Sequence, residues 1–393
     1  MKNIRNGRFA KLLGFLGLFC FSLSACEKPV ETASFVNSSR DVSHSSSHGF
    51  SQKSEPFSSL TEDGFVISHV AGGLRIEEYK GSEKKVVIPN AIGDYPVVSL
   101  GKAFQNNRAI ESVRIPNTLE MIGDYAFQNC FSLKTINIPD SIISVGKEAF
   151  LGCKNLESIS FPKYFRTIGE RAFFGCEALT SIEIPAGVRQ IDASAFERCT
   201  SLVSAVFNNS WFNFSKRLFA ECVSLTDIVF PGIYFEVIGD EAFYGCSSLR
   251  SISIETGVKH IGNGAFAECT SLTSVTLSWT VNTIGTDAFK NCTSLNSIII
   301  PDSVSVLKDT FVSCDSLAYA ILPNTITTIS GAFKDCDSLT SVFYFGTNRE
   351  WEGVDFREEI ETMPGMTVYF YSETEPSESG NYWHYVEGVP TAW

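Results

Sequence analysis

The sequence predicts an α/β solenoid: eleven units of about 23 residues, each a short strand, a corner and a short helical turn, stacked with strands parallel between β-rich end caps. Three observations carry this. Phe104, Phe127, Phe150, Phe173, Phe196, Phe219, Phe243, Phe266, Phe289, Phe311 and Phe333 recur at steps of 23, except one of 24 and two of 22. Three residues after each Phe from Phe127 onward stands a Cys, from Cys130 and Cys153 to Cys336, with Asn107 in the first unit instead. Each unit then closes on Leu and alternating Ile or Val, often with Pro, as in Leu133, Ile136, Ile138 and Pro139.

Each segment of the unit follows from its residue pattern. Lys134–Pro139 alternates apolar and polar residues, the signature of a strand with one buried face, and Pro139 cannot donate to a ladder and so ends it. Ile142 and Val145 form a second apolar pair before Gly146, which is expected to supply a corner conformation closed to other residues. Ala149, Phe150 and Cys153 fall at helical spacing, enough for one or two turns. No coil buries its Phe alone, so the units form one elongated domain. In the sixth unit Asn208, Ser215 and Leu218 replace Pro, Gly and Ala, and Trp211, Phe212 and Phe214 enter the apolar scheme, so that coil is expected to be distorted.

The ends read differently from the array. Residues 1–25 carry Lys2, Arg5, Arg8 and Lys11, an apolar run too short to cross a bilayer comfortably, and the small residues Ser24 and Ala25, the pattern of a signal peptide. Residues 26–60 are Ser-rich and apolar-poor, a tether that cannot fold alone; His44 and His48 within it are weak metal ligands without Cys or acidic partners. Residues 61–98 alternate around Gly72-Gly73 as a β-hairpin and a further strand that caps the open end. The array is placed at 99–345 and an aromatic-rich C-terminal cap at 346–393, whose Trp351, Tyr369, Tyr371, Trp383, Tyr385 and Trp393 are read as an end cap in preference to a sugar-stacking platform.

Composition excludes several functions. The formal charge is −13, and loss of residues 1–25 takes the mature chain to about −17, so phosphate backbones are repelled and nucleic acid is not expected as a partner. Ten of the twelve Cys form one column. Neighbours in a ladder point the same way, so buried free thiols are favoured over bridges or a metal. His260 has no acid or nucleophile at a motif spacing, and Gly262-Asn-Gly264-Ala-Phe-Ala267 matches a dinucleotide loop only by chance, its sister text at Ile168–Phe173 reading IGERAF. No catalytic residue, cofactor or metal is assigned, and the chain is not expected to be an enzyme.

The phrase IGxxAFxxCxxLxxIxIP, recurring from about Ser99 to Tyr344, resembles the BspA-like, or Treponema pallidum-type, leucine-rich repeat. Leu23-Ser24-Ala25-Cys26 resembles a bacterial lipobox. The resemblances imply a right-handed solenoid without catalysis, cleavage before Cys26 and its lipidation, and a bacterial envelope lipoprotein exposed at the cell surface in adhesion or interaction. Glu27 after Cys26 leaves outer-membrane delivery open where such a membrane exists.

Register then places candidate contacts on the concave face, because neighbours of buried Ile and Val point outward. One outward column runs Ser112, Thr135, Ser158, Ser181, Ser204, Asp227, Ser251, Ser274, Ser297, Tyr319, Ser341, nearly all hydroxyl. The second turns apolar at Ile299, Ile321 and Phe343 beside Tyr319, and these four are the candidate patch for a protein partner, host matrix or bacterial. Cover by the C-terminal segment is the equal alternative. Tyr164, Tyr234 and Trp279 form a weaker rim set, on which a glycan is the second partner class; a spacer without ligand is the third. The membrane enters only through the lipid anchor.

Overall fold

The computed structural model describes residues 59–208, 214–230, 235–357 and 365–393. The chain divides into two compact units, Met1–Glu55 with Tyr385–Val389 and Pro56–His384 with Pro390–Trp393. The repeat array lies wholly in the second. It is a solenoid of parallel strands, and each coil contributes to three stacked ladders.

The main ladder is built from the alternating segments. It starts with Lys85–Val87 on Ser112–Arg114 on Thr135–Asn137, resumes with Ser181–Ile184, Ser204–Phe207 and Asp227–Val229, and then pairs Ser251–Ile254 with Ser274–Leu277. Its last section runs Ser297–Ile299, Tyr319–Leu322, Ser341–Tyr344 and Thr367–Tyr371, all parallel. Ser158 and Ser160 face outward as expected, with Ile159 buried between them, but this segment alone among the described coils makes no main-ladder strand pairing. A second ladder stacks two-residue strands, among them Ser144–Val145, Thr167–Ile168 and Gln190–Ile191, then Val237–Ile238, His260–Ile261 and Thr283–Ile284.

The third ladder replaces the short helices expected around Lys147–Cys153. Those residues form turns, and among the described residues the one helix is Asn348–Trp351. The residue two before the Phe has positive φ in ten coils and the residue two after it in all eleven, for example Tyr125 (61°) and Asn129 (59°) around Phe127. An α-helix cannot contain such residues. Their amides, with that of Phe127, turn to the next coil instead: Tyr125, Phe127 and Asn129 donate to the carbonyls of Lys147, Ala149 and Leu151 at 2.9, 2.7 and 2.7 Å. The amides between them, of Ala126, Gln128 and Cys130, close i→i−3 turns within the coil. The spacing that mimics one helical face is therefore a turn whose alternate amides stitch coil to coil.

Gly146 also departs from expectation. Its φ is not positive; a Cβ there would lie 2.3 Å from Asp124 Oδ1 and 2.7 Å from the Asp124 amide. The same crowding recurs at Gly169, Gly262 and Gly285, each pressed on the backbone of the coil before it. The column is glycine because two coils approach at that corner. Asp or Asn beside it bridges the coils, Asp124 Oδ1 accepting the Lys147 amide at 2.8 Å. The two 22-residue steps lack this Gly, and there the second ladder lengthens to Val306–Lys308 and Thr328–Ser330.

Inside, the eleven Phe rings form one stack, with centroids 5.0 to 5.8 Å apart and planes within 15°. Each pair adds about 0.5–1.5 kcal/mol beyond its burial. The widest step is Phe219–Phe243, across the 24-residue coil. There Phe207, Phe214, Phe230 and Phe235 pack together, and Phe214 makes a lone bridge to Ile238. Trp211 and Phe212 lie outside the described residues. The ten array cysteines are free and buried. Each thiol donates to the carbonyl of the Phe one coil back, as Cys153 Sγ does to Phe127 O at 3.1 Å, an oxygen that also accepts the Cys130 amide. Burial pushes up the thiols of Cys153, Cys176, Cys222, Cys246, Cys269 and Cys292, that of Cys269 to about 12.

The hairpin Phe65–Val70 and Gly73–Tyr79 caps the first coil, with the parallel strand Tyr95–Leu100 beside it. Its Tyr79 ring continues the Phe stack, 5.4 Å from Phe104, and Phe65 covers Tyr79. At the other end Tyr382–Val386 pairs with Thr367–Tyr371 through Phe370 and Tyr371.

Candidate functional site

The outward face of the main ladder is the largest regular surface that repeat register builds. Ser181, Ser204 and Asp227 are direct ladder partners, as are Ser297, Tyr319, Ser341 and Thr367. The neighbouring column aligns Glu183, Val206 and Val229, and then Ile299, Ile321, Phe343 and Tyr369. Strand sterics alone hold these side chains in rows, because the alternate residues Ile182, Ile184, Ile298 and Ile300 are committed to the core. Polar members are tied locally: Asn208 Nδ2 donates to Glu183 Oε1 at 2.7 Å, and Thr226 Oγ1 to Asp227 Oδ2 at 2.7 Å.

The four residues of the expected patch do not share one environment. Ile299 is 38% exposed and Tyr319 half-buried, but Ile321 and Phe343 are buried at 1% and 7%. For Phe343 the cause is Trp383. Its ring lies 5.4 Å from Phe343, 5.0 Å from Phe345 and 5.2 Å from Tyr371, and its Nε1 donates to the Tyr344 carbonyl at 3.0 Å. Phe343 also stacks on Tyr369 at 5.3 Å and meets the edge of Tyr319 at 5.7 Å. The apolar turn in the second column is thus an internal seam between array and tail, not an open patch, and Ile321 and Phe343 leave the candidate set as exposed residues.

What stays open lies earlier along the ladder. Val203 and Val229 are 44% and 46% exposed, and Val206, half-buried, is the rung partner of Val229. With Val87 and Ile299, 63% and 38% exposed, Val229 is an apolar residue left open on this face. Sequence reading singled out the aromatic end and passed over this pair, although Val206 and Val229 stand 23 residues apart in the column it laid out.

Of the rim set, Tyr164 and Trp279 are 66% and 65% exposed. They stand five coils apart, about 24 Å at the spacing of stacked strands, so they form no common platform. Tyr234 lies outside the described residues, as do Cys26, His44 and His48. A shallow groove of 480 Å³ runs over Gly239, Gly262 and Gly285, walled by Lys216, Asp240, His260 and Thr283. His260 Nδ1 lies 2.7 Å from Thr283 Oγ1, and Asp240 Oδ1 accepts the Asn263 amide at 2.8 Å, so both side chains are engaged in holding coils together. The array thiols, the strongest nucleophile type present, are buried, and burial pushes those of Cys246 and Cys292 well up, away from the reactive thiolate. Among the described residues no group of three or more His, Cys, Asp or Glu could hold a metal, and no helix is long and apolar enough to cross a membrane.

Comparison with known proteins gives the context. No curated protein matches the chain. Among solved structures, it is similar to a leucine-rich repeat protein of Bacteroides ovatus, with 29% identity over 82% of this chain and 100% of that one and a TM-score of 0.38. It is also similar to the leucine-rich repeat protein of T. pallidum, with 26% identity over 56% and 90% and a TM-score of 0.43. A leucine-rich cell surface protein of Faecalibacterium prausnitzii matches at 23% identity over 77% and 99%, with a TM-score of 0.39. The BspA-type leucine-rich repeat region matches residues 100–226 and 236–359 in six copies. This covers well over half of the chain and the same periodic Phe, Cys and Leu positions that build the three ladders: the chain belongs to the BspA-type leucine-rich repeat family.

Proposed function

We propose that the chain is a non-enzymatic, lipid-anchored surface protein of a bacterium that binds a macromolecular partner, a protein, through the outward face of its main ladder. The observation that carries this reading is the row of outward side chains held by strand register, where Val206, Val229 and Ile299 interrupt the polar residues. Such a surface offers apolar contact framed by polar groups, the composition of a non-obligate interface. Tyr319 beside Ile299 supplies an aromatic anchor at the edge of the tail. Lipidation at Cys26 would hold the array at the envelope surface, with outer-membrane placement where such a membrane exists. Family membership supports an interaction module, and adhesion to host matrix or to another bacterial surface protein is the use proposed.

The test is capture of proteins from matrix and from bacterial surface extracts by the full chain in detergent. It is compared with a Val229→Ser, Ile299→Ser double variant and with Asn155→Ser on the exposed loop after Cys153. The proposal expects a saturable protein partner whose binding drops in the double variant and holds in the control. Equal capture by all three would reject the face.

A further inference from the structure

We propose that Arg166 and Arg189, with Lys163 and Tyr164, form a site for an anionic glycan, one bearing sulfate or carboxylate groups, on the rim beside the second ladder. The site is independent of the partner taken by the main sheet. It arises from the solenoid repeat. The Arg189 amide donates to the Arg166 carbonyl at 2.9 Å, so two arginines 23 residues apart in sequence become neighbours on successive rungs. Both are exposed, as are Lys163 and Tyr164 of the preceding corner, and the Lys163 ammonium lies 5.6 Å from the centre of the Tyr164 ring.

Like charges on adjacent rungs repel at about 4.8 Å. At several other rungs opposite charges pair between coils. Arg171, Arg198 and Arg217 meet Glu148, Glu221 and Glu197, and Lys147 and Lys154 meet Glu170 and Glu177 on the next coil. Among the described residues Arg166, Arg189 and Lys163 form no ion pair. The nearby carboxylate, Asp192, accepts from Gln190 Nε2 at 2.8 Å. Three unpaired cations in one place on a chain of net charge −13 are a local field against the global one, so binding there must come from contact rather than bulk attraction.

The chemistry around the cations selects among anions. The outward side chains of the adjacent strands are Ser144, Thr167 and Gln190, successive rungs of hydroxyl and amide that suit sugar hydroxyls. Tyr164 presents a ring to the apolar face of a sugar while the two guanidiniums fork onto one sulfate or carboxylate. The apolar neighbours Ile143 and Met121, 37% and 50% exposed, bound the patch on one side. An acidic peptide would match the charge but leave Tyr164 and the hydroxyl rungs without complementary groups.

Titration calorimetry of the full chain in detergent with a heparin oligosaccharide reads this directly. Polyglutamate, neutral dextran and anionic lipid vesicles serve as the other ligands. Heparin is expected to bind at low salt and weaken as salt rises. Arg166→Ser with Arg189→Ser should weaken it by about tenfold or more, as loss of charge-assisted hydrogen bonds predicts. Tyr164→Ala should weaken it less, and Arg250→Ser, an exposed cation on the main sheet, should not. Absence of heparin binding, equal binding by the double variant, or an equal loss in Arg250→Ser would overturn the site. Polyglutamate or vesicles binding as tightly as heparin would overturn its assignment to a glycan.

Discussion

Trp383 donates its indole N–H to the carbonyl of Tyr344 at 3.0 Å, a bond that spans 39 residues and seats the tail on the last main-ladder strand of the array. The indole is fully buried against Phe343, Phe345 and Tyr371. Trp383→Ala should therefore cost about 3–5 kcal/mol by cavity formation and lost burial. It should also expose Phe343, read as new binding of a hydrophobic dye before the thermal transition. A variant as stable as the parent would show that the tail is not seated there.

The glycine column gives a contrast between two causes of glycine. Gly146→Ala places a methyl 2.3 Å from Asp124 Oδ1 and 2.7 Å from a backbone amide, so coils must separate, at about 1–3 kcal/mol or more. Gly175 has φ of 68° and open space around it, so Gly175→Ala should cost only the left-handed penalty, about 1 kcal/mol. Denaturant midpoints should rank the two in that order.

The reverse exchange tests the turn ladder. Ser313 holds φ of 58° at the position where Gly152, Gly175 and Gly245 stand in other coils. Ser313→Gly removes left-handed strain and adds chain entropy to the unfolded state, and the two should leave stability unchanged or raised by up to about 1 kcal/mol. Ser313→Val, β-branched at the same φ, should lower it, and chemical denaturation of both variants separates them.

The array shows how much of this was legible in the chain. Phe and Cys spacing and the alternation at Lys134–Pro139 sufficed for the coil and its inward and outward faces, since period two leaves one choice of register. The turn at Lys147–Cys153 departs from the expectation because Ala149, Phe150 and Cys153 satisfy helical spacing, while the left-handed residues at these two positions are Glu, Arg or Asp twice as often as Gly. Asn106, Asn129 and Asn291 in the same column as Gly152 were the available signal. Gly146 was assigned the wrong cause, since crowding between coils is a tertiary property. Burial of Phe343 depended on Trp383, 40 residues on, and register within the repeat carries no information about it.

Alkaline pH should unfold the array. Burial raises the thiols of Cys153, Cys176, Cys222, Cys246, Cys269 and Cys292, that of Cys269 to about 12, above an ordinary value near 9. The folded state thus keeps protons that the unfolded state releases. Stability is whole below about pH 9 and falls as pH rises from there toward 12, by up to about 1.4 kcal/mol per pH unit for each thiol. Denaturant titrations at stepped pH should show this slope, and Cys269→Ala should reduce it by one proton. A stability flat from pH 9 to 11 would contradict buried, protonated thiols.

The main claim is that the outward sheet face makes the contact with a protein partner. Its most direct measurement is site-specific photocrosslinking on intact cells, with a photoreactive side chain at Val229, at Ile299 or, on the exposed loop after Cys153, at Asn155. The account predicts one discrete crosslinked species from Val229 and Ile299 and none from Asn155. Crosslinks of equal yield from all three positions, or from Asn155 alone, would contradict it.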